Sequence, residues 1–97
     1  GLARSVRFDE AVLIAESRLA ELAAAKRLPQ VLNGVADVSG YGWRIEPIAS
    51  DSPEPPEIAA SPLRVQLIKL VVTWDEKGRR RDIAIERVLL LQREPGG

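Results

Sequence analysis

Apolar side chains return along the first part of the chain at intervals of four, three, four and three: Phe8, Val12, Ala15, Leu19 and Leu22. That spacing draws one stripe on an α-helix. The segment is rich in Ala, the strongest helix former, and the pattern predicts a helix from about Ala3 to Leu28. Pro29 sets its end, because the proline ring disfavours the α region for Leu28. Ser5 is a candidate N-cap, but Phe8 stands where a capping box has Glu or Gln. A second stripe, Leu2, Val6, Leu13, Ala20 and Ala24, falls roughly 140° from the first at about 100° per residue. Its alanines suit the close approach of another helix. The first stripe is the expected helix-to-sheet core, the second the expected partner-helix interface. For Ala20 and Ala24, cover by the domain's own loops or plain helix preference competes with that reading.

The predicted length carries a further expectation. About 26 helical residues at 1.5 Å each run to about 39 Å, against a diameter of roughly 32 Å for a compact globule of this size. The front of the helix, with Leu2 and Val6, is therefore expected to overhang the domain. Gly1 reads as a processing remnant, and an uncapped, projecting start suggests that a preceding segment has been removed.

After the helix, residues 29–40 hold Pro29, Asn33, Gly34 and Gly40 and read as a connector, with Val35–Val38 a candidate for a short strand. Tyr41, Trp43 and Ile45 alternate with Gly42, Arg44 and Glu46, the period of a half-buried strand over 41–48. Pro47 and the run 50–62, with Pro53, Pro55, Pro56 and Pro62, are expected to end it in an exposed acidic loop. Residues 63–91 read as a long β-hairpin. In its first arm Leu63, Val65 and Leu67 alternate, then Ile68, Leu70, Val72 and Trp74 alternate in the opposite phase, the slip expected of a β-bulge. Asp75-Glu76-Lys77-Gly78 reads as a turn with a G1 bulge and Gly78 left-handed. Residues 92–97 are a tail. The fold class is α+β: one long N-terminal helix on a small antiparallel sheet, with both Trp residues and Tyr41 at the sheet–helix contact or its rim.

Composition removes several chemistries. The 97 residues include no His and no Cys. The usual zinc site, a Cys nucleophile, a disulfide and a Ser–His pair are thereby excluded within the chain. No side chain has an unperturbed pKa near neutrality, so acid–base catalysis needs a strongly shifted Asp, Glu or Lys, and no pattern points to one. No catalytic, metal-binding or cofactor-binding residue is assigned. Asp51, Glu54, Asp75 and Glu76 offer oxygens to calcium, but not at the spacing of an EF-hand loop.

Charge adds little toward a ligand. The 14 basic and 14 acidic residues balance, and Asp75, Glu76 and Asp82 surround Arg79-Arg80-Arg81. The arginines read as a solvated hairpin tip that discourages edge pairing; an acidic partner or nucleic acid are weaker readings of the same run. No apolar stretch approaches the ~20 residues that span a bilayer, and no signal peptide opens the chain.

The order of elements resembles the periplasmic part of type IV pilin-like proteins. The segment Ile14-Ala15-Glu16-Ser17-Arg18-Leu19-Ala20-Glu21-Leu22 resembles the helix motif of I-type minor pseudopilins of type II secretion. So do the strand start Tyr41-Gly42-Trp43-Arg44-Ile45 and the strand Val65–Trp74 with its charged turn and Arg-rich return. The likeness covers about residues 10–91. The basic leader, the cleavage Gly and the apolar helix with an early Glu are not in the sequence. The resemblance thus implies a pilin-like domain without the N-terminal transmembrane half of its helix.

It implies a non-enzymatic structural subunit of the pseudopilus tip, which packs with J- and K-type minor pseudopilins, an H-type one being a further candidate, initiates assembly and supports export of folded proteins. Its expected place is the bacterial inner membrane, with this domain in the periplasm and contact with the membrane only through the absent helix. It implies no cofactor, no nucleic acid and no small-molecule substrate. A J- or H-type pseudopilin, a minor pilin of a type IV pilus, and a self-associating helix domain unrelated to secretion remain alternatives. A small enzyme using Asp or Glu pairs is the reading with least in the sequence.

Overall fold

A computed structural model describes residues 6–36, 40–49 and 54–93. The order is α1 (Val6–Ala25), β1 (Asn33–Val35), β2 (Tyr41–Ile48), the single turn α2 (Pro56–Ala59), β3 (Leu63–Glu76) and β4 (Arg79–Gln92). The four strands form one antiparallel sheet in the order β1-β2-β3-β4, and α1 packs on one face of it. The fold is α+β.

α1 ends at Ala25, three residues before the expected Leu28. Lys26 takes a left-handed φ of 57°, and its N–H donates to the Leu22 carbonyl at 2.9 Å. That is the αL form of helix C-cap, so the stop precedes the influence of Pro29. The start expected near Ala3 lies outside the described residues.

The compact diameter assumed for the expected overhang does not hold, and Leu2 at the front of the helix lies outside the described residues. The longest axis of the domain is 49 Å and its radius of gyration 15.9 Å, where a compact globule gives about 12–13 Å. Two 14-residue strands, at about 3.4 Å per residue, account for the long axis. Twenty residues of α1 span only about 30 Å. The described helix is docked from Arg7 onward rather than projecting past its own core.

β2 runs through Pro47, which pairs with Ile68. The Ile45 N–H donates to the Leu32 carbonyl at 2.7 Å, so odd residues of β2 turn their N–H toward β1. At Pro47 that neighbour has ended, and a missing donor there costs no ladder bond. β1 falls within the expected connector, starts two residues ahead of the candidate strand Val35–Val38 and shares Val35 with it; Val38 lies outside the described residues. Gly34 in β1 is packed under Trp43, since a Cβ there would meet the indole at 3.1 Å.

β3 contains no bulge. Its pairing with β4 runs unbroken from Leu63↔Gln92 to Glu76↔Arg79. The two phases in the sequence are two faces of one strand: Ile68, Leu70, Val72 and Trp74 are buried under α1, while Val65 and Leu67 stand on the far face. The turn is two residues long, with φ of 52° at Lys77 and 78° at Gly78. That is the primed turn, not the expected G1-bulge loop. Lys carries a Cβ penalty in this conformation, which Asn tolerates better. Lys77→Asn is expected to stabilise the protein by about 0.5–1 kcal/mol, and Gly78→Ala to destabilise it. Thermal melts of the two variants check the pair.

Candidate functional site

Four contacts fix which side of α1 faces outward. At the turn end of the sheet, the Tyr41 hydroxyl donates to Glu10 Oε1 at 3.0 Å and lies 3.1 Å from the Arg7 carbonyl oxygen. The Arg7 guanidinium sits 4.9 Å from the centre of the same ring. Midway, Glu16 pairs with Arg87 of β4 at 3.1 Å. On the opposite flank, Arg18 stacks 4.7 Å over Trp43 and bonds Glu21 at 3.3 Å. At the far end, Gln92 N–H donates to the Lys26 carbonyl at 2.7 Å. Pinned on both flanks and at both ends, the helix cannot roll to bury its outer residues.

Of the expected core stripe, Ala15, Leu19 and Leu22 are buried, while Phe8 and Val12 are half-buried. Ala11, fully buried, belongs to this face and was not picked out by the spacing. Of the expected outer stripe, Val6 is 73 % and Leu13 69 % exposed, and Ala20 and Ala24 are exposed too. Leu2 lies outside the described residues. Tyr41 and Trp74 are buried with their rings 6.1 Å apart, and Trp43 forms the rim.

Two shallow grooves run along the β1 flank of the outer stripe. One, of about 300 Å³, lies between α1 and Ala36 and is lined by Leu13, Ile14, Ser17 and Glu21. The other, of about 400 Å³, lies under the second half of the helix and is walled by Leu22, Leu28, Val31, Trp43 and Ile45. Both are open to solvent. The second is walled mainly by aliphatic and aromatic side chains, while the first mixes Leu13, Ile14 and Ala36 with Glu10, Ser17, Arg18 and Glu21.

The polar groups serve structure. Burial, reinforced by the Glu10 carboxylate, pushes the Tyr41 phenol above its ordinary value. A raised folded-state value means that the stabilisation is complete below the unfolded pKa of about 10 and is lost as pH rises through the folded one. Tyr41 is the sole tyrosine, so the phenolate absorbance near 295 nm reads it directly. Ionisation is expected later than for free tyrosine and together with loss of near-ultraviolet circular dichroism.

On the far face, Arg44 bonds Glu46 at 2.7 Å and holds its carboxyl below the usual range; Lys69 approaches it at 3.5 Å. The candidate calcium oxygens are distributed among ion pairs: Glu54 with Arg93, Asp75 with Arg80, Glu76 with Arg81. Asp51 lies outside the described residues. Among the described residues no three acidic side chains gather as a metal would require, and no helix is long and apolar enough to cross a membrane.

Sequence reasoning missed the clamps on α1, because Arg7, Glu10, Arg18 and Arg87 meet their partners only after folding. It also missed the far face of the sheet. There Ile48, Leu67 and Val88 form one cross-strand row and Val65 and Leu90 the next, with Val88 63 %, Leu90 48 % and Val65 40 % exposed. The phase change in β3 was the signal for it. The chain matches no known family model, and no curated protein or solved structure is significantly similar to it.

Proposed function

We propose that the chain is the globular part of an I-type minor pseudopilin, a non-enzymatic subunit of the type II secretion pseudopilus tip. The observation that carries the reading is the clamped helix, with Val6 and Leu13 held outward on the side opposite the core. An apolar stripe that the described residues leave uncovered, beside partly apolar grooves, suits side-by-side packing with a partner helix. The α+β arrangement of one long helix ahead of an antiparallel meander is compatible with a pilin-like domain. On this reading the partners are J- and K-type minor pseudopilins, with an H-type one a further candidate. The domain stands in the periplasm, below an apolar helix that continues α1 into the inner membrane.

The test is the N-terminal sequence and mass of the native gene product from the membrane fraction. A methylated apolar helix with a Glu near its start, joined to Leu2-Ala3-Arg4, is the expected result. A native protein released without membrane and beginning near Leu2 overturns the proposal.

A further inference from the structure

We propose that Asn33-Gly34 is a self-modification site, where the chain converts its own Asn33 amide to a carboxylate through a cyclic imide, and that docking of β1 on β2 gates the reaction. Asn33 is the sole asparagine of the sequence, and a glycine follows it. Glycine has no Cβ to shield its backbone nitrogen from the neighbouring side chain, and asparagine is a thermolabile residue. The Gly34 nitrogen, once hydroxide has taken its proton, bonds to Asn33 Cγ. The Cγ–Nδ2 bond breaks, and the nitrogen leaves as ammonia with a proton returned by water. Water then opens the imide on one side or the other. Opening at Cγ leaves aspartate; opening at the main-chain carbonyl leaves isoaspartate, with the chain rerouted through Cβ and Cγ. The net change is one amide and one water to one acid and one ammonia.

The fold keeps the two reacting groups apart. The Ile45 N–H donates to the Leu32 carbonyl at 2.7 Å, and the Ala36 N–H to the Tyr41 carbonyl at 3.0 Å. Both bonds continue the register Gly34↔Trp43, and hydrogen-bonded pairs recur every second residue. Gly34 is therefore bonded to Trp43, and the N–H that must lose its proton is turned toward the Trp43 carbonyl in the plane of the sheet. The Asn33 side chain stands out of that plane, opposite Arg44 on the face away from α1. The Trp43 indole adds a strap. It covers Gly34, where a Cβ would meet it at 3.1 Å, and its Nε1 donates to the Val35 carbonyl at 3.3 Å.

That hold is thin. All three residues of β1 are exposed, so the strand brings no buried apolar side chain of its own and belongs to the part of the sheet that opens most readily. The two products differ in what they permit afterwards. Aspartate keeps the length of the backbone and sets its carboxylate opposite the Arg44 guanidinium, so β1 docks again. Isoaspartate inserts one methylene into the main chain, moves Gly34 from under the indole and breaks the register with β2. Its formation is a one-way release of the edge strand. The site is separate from the outer stripe of α1 and stands whether or not the pseudopilin reading does.

The full chain is incubated at mildly alkaline pH, native and in guanidinium chloride, and position 33 is followed by peptide mass spectrometry with the aspartate and isoaspartate forms separated by chromatography. Both products are expected in guanidinium. The native rate is expected to be roughly tenfold lower, the factor that opening the two ladder bonds of Gly34:Trp43 implies. Trp43→Ala removes the strap and Ala36→Pro deletes the bond to Tyr41; each is expected to raise the native rate toward the denatured one, with far-ultraviolet circular dichroism reporting that the sheet remains. Hydrogen exchange at the Gly34 and Ala36 amides should be fast in the isoaspartate product and slow in Asn33→Asp. No isoaspartate in guanidinium overturns the site. Equal native and denatured rates overturn the gate, and slow Gly34 and Ala36 exchange in the isoaspartate product overturns the release.

Discussion

Leu19→Asp unfolds the protein at 25 °C. Leu19 is 5 % exposed and sits in the cluster that joins α1 to Ile68, Leu70, Val72 and Leu91. Replacing a buried Leu by Ala costs about 2–5 kcal/mol, from lost transfer energy and the cavity left behind. Aspartate adds the desolvation of a carboxylate, and no basic side chain is buried among the described residues to pair with it. The sum approaches the whole stability of a small domain, about 5–15 kcal/mol. Far-ultraviolet circular dichroism and one-dimensional proton NMR are expected to show a largely unfolded chain, whereas Leu19→Ala stays folded with a lowered melting temperature. Ala20→Asp is the control. One position along the helix and exposed, it adds only a helix-propensity cost of about 0.7 kcal/mol or less. A Leu19→Asp protein with native dispersion in its NMR spectrum is the outcome that contradicts this account of the core.

The contrast between Leu19 and Ala20 was readable in the sequence because helical periodicity reports directly on burial. Twenty consecutive helical residues give the 3.6-residue period enough repeats to locate the face, and Ala15, Leu19 and Leu22 follow from it. Ala11 escaped because a methyl group marks neither a core nor a surface by itself. β2 and both arms of the hairpin were legible for the same reason, through a period of two. The period misled in β3. An alternation that changes phase reads as a bulge, but a straight strand with one face under α1 and another carrying an exposed apolar patch has the same pattern. Only the cross-strand register distinguishes them, and register is a property of two segments. β1 was hidden because Asn33-Gly34-Val35 is all exposed and has no apolar alternation. It is a strand through its ladder bonds with β2 and the fit of Gly34 under the Trp43 indole.

The site divides along the same line. The outer stripe is a pattern within one element, and the sequence could name it. What keeps the stripe outward depends on contacts between elements: the Tyr41 hydroxyl on Glu10, Arg87 on Glu16, Arg18 over Trp43. The Glu16–Arg87 ion pair is half exposed and contributes about 1 kcal/mol or less, the Arg18–Trp43 stack about the same, and the Tyr41 bond is part-buried. Their joint effect is orientational, since they grip α1 on two flanks while the aliphatic core supplies the adhesion. A helix held in this way presents a preformed surface, so a partner meets little reorganisation cost on docking.

That surface is where the second large effect is expected. If the chain packs against minor pseudopilins as proposed, Val6→Asp combined with Leu13→Asp should abolish that binding and leave the domain folded. Both side chains are more than two-thirds exposed, so the substitutions create no cavity and bury no charge in the free protein. In the bound state each carboxylate would be forced against an apolar helix face without a counter-ion. Losing two apolar anchors removes about 1.5–3 kcal/mol each if they become fully buried, and an unpaired interfacial charge adds a penalty of several more. Together that is a loss of at least 100-fold in affinity, since about 1.4 kcal/mol corresponds to a factor of ten. Titration calorimetry against the J- and K-type minor pseudopilins of the same cell is the measurement, with circular dichroism to verify the fold. Ala24→Leu gives an independent reading of the same contact: at a close-approach position the added volume should weaken binding while lowering helix stability only slightly. If the double variant binds as the parent does and remains folded, the outer stripe is not the interface.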